Sequence, residues 1–313
     1  MTKNLSSLAA GMIALLVASS PAMALSSRTF VSGAGGDTGS CPLATPCRTF
    51  AYALTQTAPS GEIIVLSSAG YGAVTINKAV SIINTSNFAG VTVASGNGIT
   101  INANTNDSVV LRGLTVDGGG TGSNGIVFNS GLTLTVDQCD VMNFVGGATT
   151  GNGILIQPTS GNHNIVITNT TASNNQWDGV FYFPQSGAAT TGIVIDRVSA
   201  NNNLFGIAIN NLNSSGAATA SISNSIASFN TQDGFIFEAD TALSLDASNA
   251  SSNGGNGVSV LSSTFTLGRS VLMNNTGFGL SFTGGIVNSY KDNRIAGNGG
   301  GQVSATPAAG TLY

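Results

Sequence analysis

Asp178 and Asp233 each stand directly before a glycine, in WDG and QDG, and Glu238 follows in FEAD. Paired carboxylates are what hydrolysis of a glycosidic bond needs. In inverting enzymes one acid protonates the leaving oxygen while the other activates water, at a separation of roughly 6.5–9.5 Å. Equivalent places two rungs apart in a stack of strands put the two backbones about 9–10 Å apart, at the upper edge of that window. The same residues have a plainer reading: Asp before Gly is ordinary turn chemistry, and Asn124, Asn152 and Asn256 hold the corresponding place elsewhere. Asp178, Asp233 and Glu238 are therefore the candidate catalytic groups, with a turn role as the alternative.

A second constellation is aromatic. Trp177 is the only tryptophan, and Phe181 and Phe183 follow it closely. Rings beside amides such as Gln157 and Asn210 suit stacking on sugar faces while hydrogen-bonding the hydroxyls. These five are the candidate substrate-binding residues. The apolar stripe they belong to could instead be covered by a loop or by a second subunit, so oligomerisation through it stays open.

Other chemistry has less support. Glu238 and Asp240 could join Asp233 in holding Ca²⁺, but no dense run of oxygen ligands is present, so no cofactor and no metal are expected. Arg197 and Arg269 take equivalent places beside Asp196 and Asp246, and a lyase commonly draws its base from Arg or Lys; by the repeat they fall on a different edge from Asp178 and Asp233. The single histidine, His163 in GNHN, reads as a solvated turn residue.

What must position these groups is a β-rich frame. Of 313 residues only 9 + 13 = 22 are charged, while 42 are Gly and 33 are Asn. A helical protein carries more Lys, Glu and Arg on its wet faces, and Gly and Asn are poor helix formers. Disorder is excluded by a hydrophobic content of 42%. Glycines at 98, 125, 153, 179, 206, 234, 257 and 279 recur at gaps of 27, 28, 26, 27, 28, 23 and 22, each opening an alternating strand such as GIVF, GILI or GFIF. That period is the mark of a solenoid. With no crossover helix between the strands, each coil satisfies its backbone only by stacking on the next. The expected fold is a parallel β-helix of about ten turns, roughly 45 Å long at ~4.8 Å per rung. Asn175, Asn202, Asn230, Asn253 and Asn275 all precede their glycine by four residues, which predicts a vertical ladder of side-chain amides.

These repeats resemble the right-handed parallel β-helix proteins of the pectate-lyase-like superfamily. The stretch CRTFAYALTQTAPSGEIIVLSSAGYGAVTINKAVSII, residues 47 to 83, looks like that superfamily's N-terminal cap. The resemblance implies a short amphipathic helix at about Thr49 to Gln56 covering the open end of the core. It also implies chemistry on the outer face of one sheet. The superfamily's hydrolase signatures, paired aspartates with Gly-His-Gly and Arg-x-Lys, are absent.

The N-terminus reads as a secretory signal: Lys3, an apolar run from Leu8 to Val17, and small residues before a cleavage after Ala24. The organisation expected is a signal peptide over 1–24, a cap over 25–60 and the β-helix over 61–313. In an oxidising compartment Cys41 and Cys47 pair, leaving Cys139 as a buried inert thiol. The mature chain, with 8 basic and 13 acidic residues, is a poor partner for nucleic acid, and no segment is long enough to span a membrane. The expected function is that of a secreted or periplasmic, non-catalytic carbohydrate-binding or surface-associated scaffold with a polysaccharide partner. The alternatives are a lyase or glycoside hydrolase on polyuronides, or an adhesin-like rod.

Overall fold

A computed structural model describes residues 25–146, 149–238 and 241–304; the expected signal peptide, 1–24, and Asp240 lie outside the described residues. The chain is a parallel β-solenoid of about nine turns. All pairings between its strands are parallel and join one coil to the next, as in Asn124–Ser130 on Asn97–Asn102 and then Ile154–Ile156 on Asn124–Ser130.

Each coil carries up to three strands and so contributes to three faces. The front face stacks Asn124–Ser130, Ile154–Ile156, Asp178–Tyr182, Phe205–Asn210 and Phe235–Glu238. The second stacks Thr133–Asp137, Ser160–Thr168, Ala188–Asp196, Ala218–Ser223 and Thr241–Asp246. The third is narrower, with strands such as Asp140–Met142 and Thr171–Ser173. Alternation follows the period of two expected for strands: Ile126, Phe128, Ile154, Ile156, Val180, Tyr182, Ile207, Ile209, Phe235 and Phe237 point inward and are fully buried.

The recurring glycines are explained by close approach between coils. None of the eight has a left-handed backbone. A Cβ on Gly206 would stand 2.4 Å from the carbonyl oxygen of Gly234, which sits in the corresponding place one coil on. Left-handed residues sit elsewhere, in two columns. One holds Gln138, Asn169, Arg197, Asn224, Ala247 and Arg269 at the bend after the second face; the other holds Asn143, Asn174, Asn202, Phe229, Ser252 and Asn274 after the third. Asn is the non-glycine residue best suited to that conformation, which accounts for part of its abundance.

The amide ladder forms, with one correction. Its members are Asn175, Asn203, Asn230, Asn253, Asn275 and Asn298; each of the first five donates its backbone N–H to the Oδ1 of the next at 2.9–3.0 Å. Asn203, not Asn202, occupies the column, because this coil is one residue shorter between ladder and glycine. Asn202 is instead the left-handed residue beside it.

At the N-terminal end, helix α1 (Phe50–Gln56) starts from Thr49, whose hydroxyl accepts from the Tyr52 N–H, and buries Phe50, Ala53 and Leu54 over the first coils. Cys41 and Cys47 form a disulfide. Cys139 is buried, and burial pushes its thiol up to about 12. Among the described residues no helix is long and apolar enough to cross a membrane.

Candidate functional site

On the front face, strand register places the outward side chains in two columns. One runs Val127, Leu155, Phe181, Ala208, Ile236, Ser259. The other runs Asn129, Gln157, Phe183, Asn210, Glu238, since each of these directly follows a paired inward residue or is paired itself. Phe181 and Phe183 are half-buried and their rings stack, 5.2 Å between centroids at 16°. On one side of Phe183 the amides chain together: Gln157 Nε2 donates to Asn129 Oδ1 at 2.9 Å, and Asn129 Nδ2 to Asn102 Oδ1 at 2.8 Å. On the other side Asn210 Nδ2 donates to the Glu238 carboxylate. Gln185, not anticipated from the sequence, reaches Gln157 Oε1 at 3.4 Å.

The apolar stripe is less open than the sequence suggests. Val127, Leu155 and Ala208 face outward yet are buried within the single chain, which leaves Phe181, Phe183 and Ile236 partly accessible. Trp177 is half-buried in the bend before this strand, where its N–H donates to the Gly151 carbonyl and its carbonyl accepts from Leu204. It makes no ring pair with the two phenylalanines among the described residues.

Asp178 and Asp233 occupy the same slot two coils apart, with Phe205 between them. Their environments differ. Asp233 accepts the backbone N–H of Asn256 at 2.5 Å and the Ser259 hydroxyl at 2.7 Å. Asp178 is 1% exposed, and its Oδ1 has no hydrogen-bond partner, alone in this respect among buried side-chain atoms of the described residues. The cause is one coil on: the position that Ser259 holds above Asp233 is held above Asp178 by Ala208. The Phe205 N–H remains as a donor, but burial outweighs it and pushes the Asp178 carboxyl well above the usual range, with the Glu238 charge adding to the rise. Burial also raises Glu238. The face thus carries two carboxyl groups biased toward the protonated form.

The remaining candidates lie apart from this face. Arg197 and Arg269 sit in the left-handed bends after the second face and pair with Asp196 and Asp246. Both carboxylates are held low, Asp196 chiefly by hydrogen bonds from Asn224 and Ser223, Asp246 by that from Arg269. His163 is a correction: it lies in a strand, Ser160–Thr168, and is buried. Its ring nitrogens stand 2.6 Å from the Gly131 carbonyl and 3.0 Å from that of Ser160, and its ring meets Phe128 edge-on at 5.6 Å. GNHN reads as a turn from composition, but the second face extends through it. No group of three metal-ligating side chains comes together among the described residues.

The chain matches no protein-family model, and no curated protein matches it in sequence. Among solved structures it is similar to pectate lyase Pel9A, with a TM-score of 0.52 and 15% identity over 88% of this chain and 72% of that one. It is also similar to the enzymatically active domain of tailspike protein 2 from bacteriophage CBA120, with a TM-score of 0.55 and 13% identity over 82% of this chain and 44% of that one. What is shared at these identities is the fold.

Proposed function

We propose that this is an exported carbohydrate-binding β-helix that holds a polysaccharide against its front face, in the periplasm or outside the cell. The observation that carries the reading is the stacked pair Phe181 and Phe183 set in register between Gln157 and the Asn210–Glu238 pair. Rings offer a face to the apolar side of a sugar, and the flanking groups can exchange hydrogen bonds with its hydroxyls. Trp177 borders the same strand. A pectate lyase shares the fold, which supports a polysaccharide as partner, and the Cys41–Cys47 disulfide supports export. Titration calorimetry against acidic and neutral polysaccharides tests this: saturable binding is expected, and Phe181→Ala with Phe183→Ala should weaken it at least tenfold. Binding unchanged in that double variant would remove the front face from consideration.

A catalytic reading is favoured by one specific observation, the buried carboxyl of Asp178 with its unpartnered oxygen and the raised Glu238 on the same face. A protonated acid within hydrogen-bond reach is what donation to a leaving glycosidic oxygen requires; of the two groups Glu238 is the accessible one, half-buried where Asp178 is 1% exposed. Asp233, whose oxygens are taken by Asn256 and Ser259, fits a turn role better. New reducing ends, or absorbance from an unsaturated uronate, that vanish in Asp178→Asn would establish catalysis. Binding without product keeps the scaffold reading.

A further inference from the structure

We propose a second glycan site, for a neutral chain, in the groove along the bend after the third face. This cavity, about 520 Å³, is lined by Asn143, Asn174, Asn202, Gln176, Leu204 and Thr231, among others, and no charged side chain of the described residues lines it. The three asparagines belong to the column of left-handed residues and lie on successive coils, so their amides follow one another about every 4.8 Å along the axis. The Asn143 amide donates to Asp117 at 2.9 Å. Those of Asn174 and Asn202 make no hydrogen bond with any described residue, and both residues are exposed.

The bend itself explains asparagine at these places, since the conformation is left-handed. It does not explain the next member of the column. One coil beyond Asn202, the slot is filled by Phe229, with φ of 59° and 65% of its surface exposed. A left-handed conformation costs a residue with a Cβ roughly 1–2 kcal/mol, and Asn or Gly is the inexpensive choice. Other residues do fill such bends, Ser252 one coil further on among them, but Phe229 is the one that sets a large apolar side chain in solvent. Phe229 is not part of the cavity lining but stands one coil beyond Asn202 in the same column; there an exposed ring can take the apolar face of a sugar whose hydroxyls pair with the two free amides, Asn174 and Asn202. The absence of charge selects a neutral ligand over an acidic one. The cavity volume lies within the roughly 300–1,000 Å³ of small-molecule sites, enough for part of a longer chain.

This site stands independently of the front face, and the test separates them. Cellohexaose, mannohexaose and a galacturonate hexamer are titrated into ¹⁵N-labelled protein, following side-chain amide signals. A neutral hexamer is expected to shift the Asn174 and Asn202 amides. Asn174→Ala with Asn202→Ala should weaken that binding at least tenfold, whereas Phe181→Ala with Phe183→Ala should leave it unchanged. Raising salt from 50 to 500 mM should change it less than twofold. Phe229→Asn supplies a variant that folds at least as well: its melting temperature should rise by a few degrees while affinity falls several-fold. The proposal is overturned by unshifted Asn174 and Asn202 amides with both neutral hexamers, by preference for the galacturonate hexamer, by loss of binding in the front-face variant, or by full affinity in Phe229→Asn.

Discussion

Asp178 and Asp233 are one residue type in one slot, and the coil stacked next determines what each becomes. Asp233 receives the Ser259 hydroxyl, whereas at the register of Ser259 the coil next to Asp178 carries Ala208, which has no hydroxyl to give. Supplying the missing donor should settle the buried carboxylate. Ala208→Ser is expected to stabilise the fold at pH 8 by about 2 kcal/mol, the usual worth of a hydrogen bond to a charged group, read as a higher urea midpoint. The pH dependence follows from the direction of the shift. A carboxyl raised in the fold binds its proton more tightly there than in the unfolded chain, so its stabilisation is complete below the ordinary carboxylate range and is lost as pH rises through its folded value. Asp178 and Glu238 act in this sense, whereas Asp196 and Asp246, held low, lose their contribution only as pH falls into acid. Wild-type stability should therefore decline on the upper side, and Asp178→Asn should flatten much of that decline while leaving the acid limb in place. A variant with the same upper limb as the wild type would mean that Asp178 is already ionised and accommodated.

The column of amides turns repetition into a continuous buried hydrogen-bond chain. Asn253 shows the pattern in full: its Oδ1 accepts from the backbone N–H and the Nδ2 of Asn230, and its own Nδ2 donates to Asn275 Oδ1 and the Ala227 carbonyl. Removing it strands buried donors at about 1–3 kcal/mol each. Asn253→Ala should therefore cost about 3–4 kcal/mol in denaturant unfolding, and Asn298→Ala, at the end of the ladder, distinctly less. Equal losses would mean that the ladder does not act as a chain. Much of this was legible beforehand. The 22-to-28-residue spacing of glycines and the alternation in GIVF, GILI and GFIF give the coils, their inward faces and the outward columns containing Phe181 and Phe183. Where it failed, the reasons are local. A coil shortened by one residue moved the ladder from Asn202 to Asn203, and the extended second face drew His163 from an apparent turn into the interior. Residues at a bend have no direction that alternation can assign, so the contrast between Ala208 and Ser259, though printed in the sequence, had no meaning until Asp233 was seen to reach Ser259.

In a solenoid each coil touches only its neighbours, so stability is a sum of local terms and damage should stay local. The N-terminal end is suited to showing this. Among the described residues the first strand, Ser26–Val31, pairs with the strand Thr57–Val65 on one side, and on the other is held by the disulfide loop: the Phe30 N–H donates to the Cys41 carbonyl, Ser32 to Cys47, and Cys47 back to Phe30, at 2.8–2.9 Å. Both cysteines are buried against the same core that α1 covers. Closing so short a loop restricts the unfolded chain by about 2 kcal/mol, a modest amount spread over the whole molecule but a large one for a single terminal coil. Reduction should therefore speed amide exchange from Ser26 to Val65 and in α1, by an order of magnitude or more, while the strands Ile154–Ile156, Asp178–Tyr182 and Phe205–Asn210 keep their protection. Polysaccharide binding at the proposed front-face site, several coils away, should be as before. If reduction instead loosens all coils alike, the stack unfolds as one cooperative unit, and the cap is then coupled to the site through the length of the core.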